Sequence, residues 1–362
     1  MEDNLSTRKL EILSKTIEDY IADAQPITSG AIHKKHLSDI SPATLRNELS
    51  ALEAMGYLKQ LHTSGGRVPT QKAYRLYVNK LMNQANFDAE SMQIIQEMFD
   101  VRTASLEEIV ANIAKTISKA TNYPAVVVLN GLDKLIIQNV KIIPVLGARA
   151  VILITTNTGI INNTIEISEN INEKVCQDAS NFLTHHFKGR TIADMILNIK
   201  TFEREMSEEL KDYKNVFHLL SNCLTELSNY NHAKLHAEGQ IKLLNNPEYK
   251  DVEEAKKMLH LLEDEEELKN IFKDVDKSSG VHFTIGDENK NENLSNCGVI
   301  TANYKINGNN IASIGIIGPQ RMNYSKVAGV LRYIVGELNA IRRLPMNEAN
   351  QNTNQNKEGE DE

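Results

Sequence analysis

The chain has 362 residues, is 41% hydrophobic and 24% charged, and carries a formal net charge of −8 with three cysteines and no tryptophan. That length is enough for two or three domains, and no apolar run approaches the roughly 18 residues a membrane span requires, so a soluble protein is expected. The start, MEDNLSTRKLEIL, is acidic and helical rather than a charged-then-apolar signal peptide, and the distant, odd-numbered Cys176, Cys223 and Cys297 read as reduced, mostly buried thiols of a cytosolic protein.

The first predicted element is a helix striped by Leu10, Leu13, Ile17 and Ile21 and ended by Gln25-Pro26. Thr28 or Ser29 caps a short second helix that runs through Leu37. Ser41 caps a third, with Pro42 as its first residue and Gly56 as its stop. Leu45, Leu49, Leu52 and Met55 recur at helical spacing and form its expected buried stripe. At about 100° per residue, the opposite side carries Ala43, Asn47, Ser50 and Ala54, flanked by Thr44 and Arg46. A solvated face is usually laced with Glu and Lys. This one is small, polar and nearly free of carboxylates, which suits a nucleic-acid groove, although an ordinary surface helix would read the same if taken alone.

The next residues change that balance. Tyr57 to Leu61 is a short strand candidate, His62-Thr63-Ser64-Gly65-Gly66-Arg67 a tight polar turn, and Val68-Pro69 the start of a return strand. Lys59, His62 and Arg67 put donors on the expected tip of this wing. From His33 to Lys80 there are eight Lys/Arg (34, 35, 46, 59, 67, 72, 75, 80) against three acids (39, 48, 53), so the segment is 8 − 3 = +5 inside an acidic chain. A local basic patch in an acidic protein is the electrostatic footprint of nucleic-acid binding. The expected DNA-contacting set is Ser41, Thr44, Arg46, Asn47 and Ser50 on the third helix with Lys59, His62, Thr63, Ser64, Gly66 and Arg67 on the wing. Asn47 can pair with an adenine edge, and Arg46 can reach a guanine or a phosphate.

Beyond the wing, Thr70 to Asn83, Asp88 to Asp100 and Leu106 to Ala120 read as helices, the last opened by a Ser105-x-x-Glu108 capping box and striped by Leu106, Ile109, Ile113, Ile117 and Ala120. From Pro124 the period changes. Ala125 to Leu129, Leu135 to Val145, Ala150 to Thr155 and Ile160 to Ile167 are strand-like runs, and others return only at Val281 to Ile285, Cys297 to Ile306 and Asn310 to Ile317, before a helix from Tyr324 to Arg342. The expected architecture is therefore α+β and multidomain. It comprises a winged helix-turn-helix at 1–83, linker helices and the first part of an α+β domain at 84–171, a mainly helical insertion at 172–274, the rest of the α+β domain at 275–345, and an acidic, Asn-rich disordered tail at 346–362. The hairpin at 150–167 fits either part.

Within the insertion, Met206, Leu210, Tyr213, Phe217, Leu220, Leu224 and Leu227 step 4, 3, 4, 3, 4, 3, a 3.5-residue seam that serves self-association and internal packing equally well. His232 and His236 have the i, i+4 spacing of a helical ligand pair but no third ligand, so no metal is expected. The Glu263 to Glu267 run reads as a solvated acidic face, and Gly315 to Pro319 as a strand end and turn. Arg321 follows as an anchor for helix-end carbonyls. No phosphate loop, catalytic triad or paired-carboxylate motif stands out, so neither enzymatic activity nor a cofactor is expected.

SPATLRNELSALEAMGYL followed by HTSGGRVPTQKAYR resembles the amino-terminal module of the HrcA family of heat-inducible transcription repressors. The likeness continues in His236 to Gln240, Leu243-Leu244, Pro247-Glu248, Ile285 to Asn289, Cys297 to Tyr304 and Ile317 to Tyr324, and spans about residues 5 to 343. Pro42, Gly65 and Ala73 depart from it, standing where a small polar residue, Ala and Gly are usual; Pro42 lacks an N–H that could hold a phosphate. The resemblance implies a GAF-like domain interrupted by a dimerisation domain, a homodimer on a CIRCE-type inverted repeat upstream of chaperone operons, and the chaperonin GroEL as a partner, all in the bacterial cytoplasm at the nucleoid. The competing reading is a ligand-sensing regulator, which requires convergent polar residues in a concave pocket of the α+β domain. The sequence shows mainly apolar strands there.

Overall fold

The computed structural model describes residues 5–61, 66–82, 88–100, 106–146, 148–167, 171–198, 214, 217–219, 221, 235–273, 280–306 and 309–341. They group into two compact units, one drawn from Met1–Thr103, Glu107–Gly131 and Tyr230–Leu331, the other chiefly from Leu132–Asn229.

The first unit begins with α1 (Thr7–Asp23), α2 (Ser29–Lys35) and α3 (Pro42–Ala54), the hairpin strands β1 (Leu58–Gln60) and β2 (Arg67–Pro69), and α4 (Gln71–Leu76). Each of the first three helices starts at a hydroxyl cap: Ser6, Thr28 and Ser41 accept from the backbone N–H of Lys9, Ala31 and Thr44. Ile12, Leu13, Ile17, Ile32, Leu45, Leu49, Leu52 and Leu58 close a single core under the three helices and the hairpin. Met55, expected in that stripe, is instead 42% exposed, because α3 ends at Ala54 and Met55 already belongs to the cap. Gly56 follows with φ +79°, a left-handed stop that a side chain would strain. The helix expected at 70–83 is shorter and ends in a π turn at Tyr77–Leu81, where the Met82 N–H reaches back to Tyr77 O at 2.7 Å.

After α5 (Ala89–Asp100) and α6 (Leu106–Thr121) comes β3 (Ala125–Leu129), every residue of it buried. The second unit intervenes with β4 (Ile137–Val145), β5 (Arg149–Thr156), β6 (Ile160–Glu166), α7 (Glu173–Phe187) and α8 (Ile192–Asn198). The first unit resumes with β7 (Leu235–Glu238), α9 (Val252–Glu263), α10 (Glu265–Lys273), β8 (Val281–Ile285), β9 (Cys297–Ile306), β10 (Asn309–Pro319) and, as far as Leu331, α11 (Tyr324–Ile341). Its sheet is antiparallel in the order β7-β3-β10-β9-β8. The pleat sorts the faces: Val126, Val128, Val299 and Ile317 pack with Met258, Leu261, Leu268 and Phe272 of α9 and α10. Gly298, one step along from Val299, faces the Tyr324 ring at the start of α11.

In the second unit, β4, β5 and β6 form a meander. α7 covers β4, with Ser180 Oγ and Thr184 Oγ1 accepting from the Ile142 and Val140 N–H groups at 2.9 and 3.0 Å. The edge strand's spare donors are thereby satisfied within the unit.

The expected domain limits move accordingly. The hairpin at 150–167 and the strand at 137–145 belong to the second unit, so the insertion opens near Leu132 rather than at 172. It closes near Asn229 rather than at 274, because β7 pairs with β3 and α9 and α10 cover the sheet. His236 lies on β7, so the helical spacing that would pair it with His232 is absent; His232 is outside the described residues. Of the seam, Phe217 is half-buried, and Met206, Leu210, Tyr213, Leu220, Leu224 and Leu227 lie outside the described residues, as does the tail from 346. Cys176 and Cys297 are free and buried, while Cys223 lies outside the described residues.

Candidate nucleic-acid interface

α3 is held from beneath by its leucines and from the sides by α1 and α2. Asp19 on α1, almost buried, lies 2.9 Å from His36 Nε2 beyond the end of α2, with Lys35 3.7 Å away. His33 Nδ1 donates to Ile40 O at 2.9 Å across the turn that leads into α3. Lys72 of α4 donates to Met55 O at 3.0 Å, satisfying a carbonyl at the C-terminal end of α3, and its ammonium sits 4.3 Å over the Tyr57 ring.

Facing outward are Arg46, Asn47 and Ser50, all exposed, with Ser41 at the first turn and Thr44 half-buried beside it. Ser41 Oγ and Thr44 Oγ1 lie 2.9 Å apart, so these hydroxyls hold each other as well as the cap. The helix carries two acids, Glu48 and Glu53, and both are neutralised: Glu48 by Lys9 of α1 at 2.9 Å, Glu53 by Arg67 at 2.8 Å. Arg46 makes no ion pair among the described residues. With both acids paired and Arg46 and Asn47 exposed, the outward face is net cationic, the electrostatic condition for lying against phosphates.

The hairpin pairs Leu58 with Pro69, Lys59 with Val68 and Gln60 with Arg67. Arg67 also exchanges both backbone hydrogen bonds with Ile27 at 2.9 and 2.8 Å, which ties the wing's return strand to the segment between α1 and α2. Gly66 is buried there. A Cβ on it would come within 2.7 Å of Pro26 and Ile27 backbone atoms, so Gly66 is a packing glycine rather than an exposed donor at a tip. Arg67, expected at that tip, begins β2 and turns its guanidinium back to Glu53 and to Ser50 Oγ, 2.7 Å away. It works as a strut between the hairpin and α3. Lys59 is exposed on β1, and His62, Thr63, Ser64 and Gly65 lie outside the described residues. The roles of Lys9, Glu53 and Lys72 have no local signal in the sequence, because each contact joins elements far apart along the chain.

The sheet of the same unit bears a cleft of about 830 Å³ whose walls include Arg75, Glu267, Asn270, His282, Asn289 and Lys290. The expectation of mainly apolar strands, without convergent polar residues, therefore needs correction. The polar groups come from α4, α10 and the turn after β8, and from His282, Thr284 and Thr301 on the strands themselves.

Comparison with known proteins accords with this geometry. Residues 4–83 match the winged helix-turn-helix transcription repressor, HrcA DNA-binding family, and residues 107–328 match the HrcA protein C-terminal domain. The heat-inducible transcription repressor HrcA of Ruminiclostridium cellulolyticum is 33% identical over 340 residues, covering 92% of this chain and 97% of the relative. That of Bacillus pumilus is 32% identical over 350 residues, covering 94% and 99%. A crystal structure of a hypothetical protein at 2.2 Å resolution superposes with a TM-score of 0.64 at 20% identity, covering 93% of this chain and 98% of its own, which shows a shared fold. A helix with a cationic outer face, a hairpin strutted to it and this whole-length similarity lead to one conclusion: the chain belongs to the HrcA family of heat-inducible transcription repressors, with a winged-helix DNA-binding module at its amino terminus.

Proposed function

We propose that the repressor binds a CIRCE-type inverted repeat as a homodimer, with one α3 entering the major groove at each half-site. The outward face of α3 carries this reading: Arg46 and Asn47 stand exposed while both acids of the helix are already paired with Lys9 and Arg67. Arg46 and Asn47 read bases; Ser41, Thr44, Ser50 and Lys59, with His62, Thr63 and Ser64 of the wing, meet the sugar-phosphate backbone. The direct test is competitive titration of the operator against a scrambled duplex at several salt concentrations, and a protein that fails to distinguish them overturns the reading.

Arg67→Ala removes one cation and leaves Glu53 unpaired beside the groove. Binding to cognate and scrambled DNA is expected to weaken together, and the salt slope to fall by about one. An unchanged slope with weakened binding would leave Arg67 as a strut to Glu53 and Ser50 rather than a phosphate contact.

Self-association is assigned to the heptad seam from Met206 to Leu227. Leu220→Glu combined with Leu224→Glu is expected to give a folded, largely monomeric protein with poor operator affinity. A variant that remains dimeric in sedimentation would move the interface to another surface.

Activity is proposed to depend on the chaperonin GroEL. β3 must find β10 across roughly the whole second unit, as in the pairing of Leu129 with Ala312, and such non-local pairing is slow and leaves apolar surface exposed. Heat then floods the chaperonin with unfolded chains, less repressor reaches its DNA-competent form, and chaperone operons are released. Diluted, unfolded repressor is expected to recover more operator binding with chaperonin and ATP than without. Equal recovery at every temperature would favour the second reading, a small effector in the cleft beside Arg75 and His282. The proposed setting is the bacterial cytoplasm, at the nucleoid; no described helix is long and apolar enough to cross a membrane.

A further inference from the structure

The DNA-reading module is joined covalently to the rest of the chain at one point, residues 83–87, yet three sets of side chains tie it to the five-stranded sheet. At α4, Arg75 forms a two-pronged pair with Glu288, Nε to Oε1 at 2.7 Å and Nη2 to Oε2, and Nη2 also donates to Phe283 O at 2.9 Å. Glu288 is itself held in place, because Oε2 accepts from the Ile285 N–H at 2.8 Å. One turn earlier, Gln71 Oε1 accepts from the Asp287 N–H at 3.1 Å.

At α1, Arg321 reaches across from the turn after β10 and donates to Ile21 O, in the last turn of the helix, at 3.1 Å. The same guanidinium is clamped from behind by Glu248, Nε to Oε1 at 2.5 Å and Nη2 to Oε2 at 3.1 Å. Between the two arginines, the buried Tyr74 packs beside Tyr324 with ring centroids 6.0 Å apart, and Phe283 stands 6.2 Å from Tyr324 on its other side. Bidentate arginine–carboxylate pairs are directional as well as strong, and a planar fork held at both prongs resists rotation.

None of these contacts uses the outward face of α3. Ile21, Gln71, Tyr74 and Arg75 hold the module by α1 and α4, while Arg46, Asn47 and Lys59 remain exposed. The docking therefore sets orientation without covering the reading surface. For a two-fold repressor, the orientation of each module on its body determines the distance between the two reading helices, and so the separation of half-sites that both can occupy at once. We propose that Arg75 and Arg321 are positioning residues that fix the reading module on the sheet and thereby set the half-site spacing the repressor accepts. The inference rests on the homodimer and inverted-repeat reading above.

The test uses the full-length chain and duplexes in which the gap between inverted half-sites is changed in single base-pair steps, together with an isolated half-site. Wild type is expected to prefer one gap by about tenfold or more over gaps two base pairs longer or shorter, as a preorganised pair of heads requires. Arg75→Ala with Glu288→Ala, which removes both charges together, is expected to flatten that preference to within about threefold and leave half-site affinity within about twofold. Arg321→Gln is expected to do the same. If the double variant does not fold, Glu288→Gln carries the same expectation, since it keeps the side chain's shape and removes only the charge. A gap preference unchanged in folded, dimeric variants overturns the proposal, and so does equal loss on half-site and full operator, which marks damage to the head itself. A wild type that sediments as a monomer overturns the dimer reading, and this proposal with it.

Discussion

Replacing Asn47 or Arg46 with alanine is expected to weaken operator binding by about 1–3 kcal/mol and to relax base preference at one position per half-site. The amide of Asn47 has the donor and acceptor needed for an adenine edge, and Arg46 has the fork that matches guanine. Both project from a helix whose backbone is fixed by the buried Leu45, Leu49 and Leu52, so in the proposed complex the side chains would reach the groove already placed. The measurement is titration of each variant against a panel of single-base operator variants at one salt concentration. Equal loss on cognate and scrambled DNA would reassign these residues to phosphate contacts. A loss confined to one base position per half-site is what base reading requires.

Leu49→Ala should have the largest effect on stability in the reading module. Leu49 is fully buried at the middle of α3, and truncating such a leucine costs about 2–5 kcal/mol through lost transfer energy and the cavity left behind. The expected result is a lower melting temperature for the module, with operator binding at low temperature reduced much less than in Asn47→Ala. A loss below about 1 kcal/mol would mean that α3 can collapse onto the vacated space. Comparison of Leu49→Ala with Asn47→Ala tests the two faces of one helix separately, the inner for packing and the outer for the proposed recognition.

The elements with strong local signals were legible from the sequence. β8 at Val281–Ile285 and β9 at Cys297–Ile306 lie where β-branched runs between turn residues place them, and α3 runs from Pro42 to Ala54 because Ser41 and Gly56 punctuate it. Arg321 meets a helix-end carbonyl, as an arginine in that turn predicts. β7 was not legible: Leu235–Glu238 has no β-branched residue, and its strand conformation comes from pairing with β3 at the sheet edge. The limits of the inserted unit were hidden for the same reason, since helical periodicity in α9 and α10 does not reveal which sheet they will cover. In the candidate interface, the sequence supplied the residue types on the outer face of α3 but not the partners of their neighbours. Arg67 looked like a wing-tip cation until Glu53 and Ser50, fourteen and seventeen residues earlier, proved to be its neighbours.

The burial of β3 also bears on how the protein is made. Ala125–Leu129 leaves the ribosome with neither of its sheet neighbours yet translated; β7 must follow to cover one edge and β10, starting at Asn309, to cover the other. Any transcript cut short between Leu129 and Asn309 therefore yields an apolar strand with an open edge, and such edges recruit other chains. Products that end in that window are expected to be cleared by proteolysis or to aggregate, and not to persist as amino-terminal modules carried on an incomplete body.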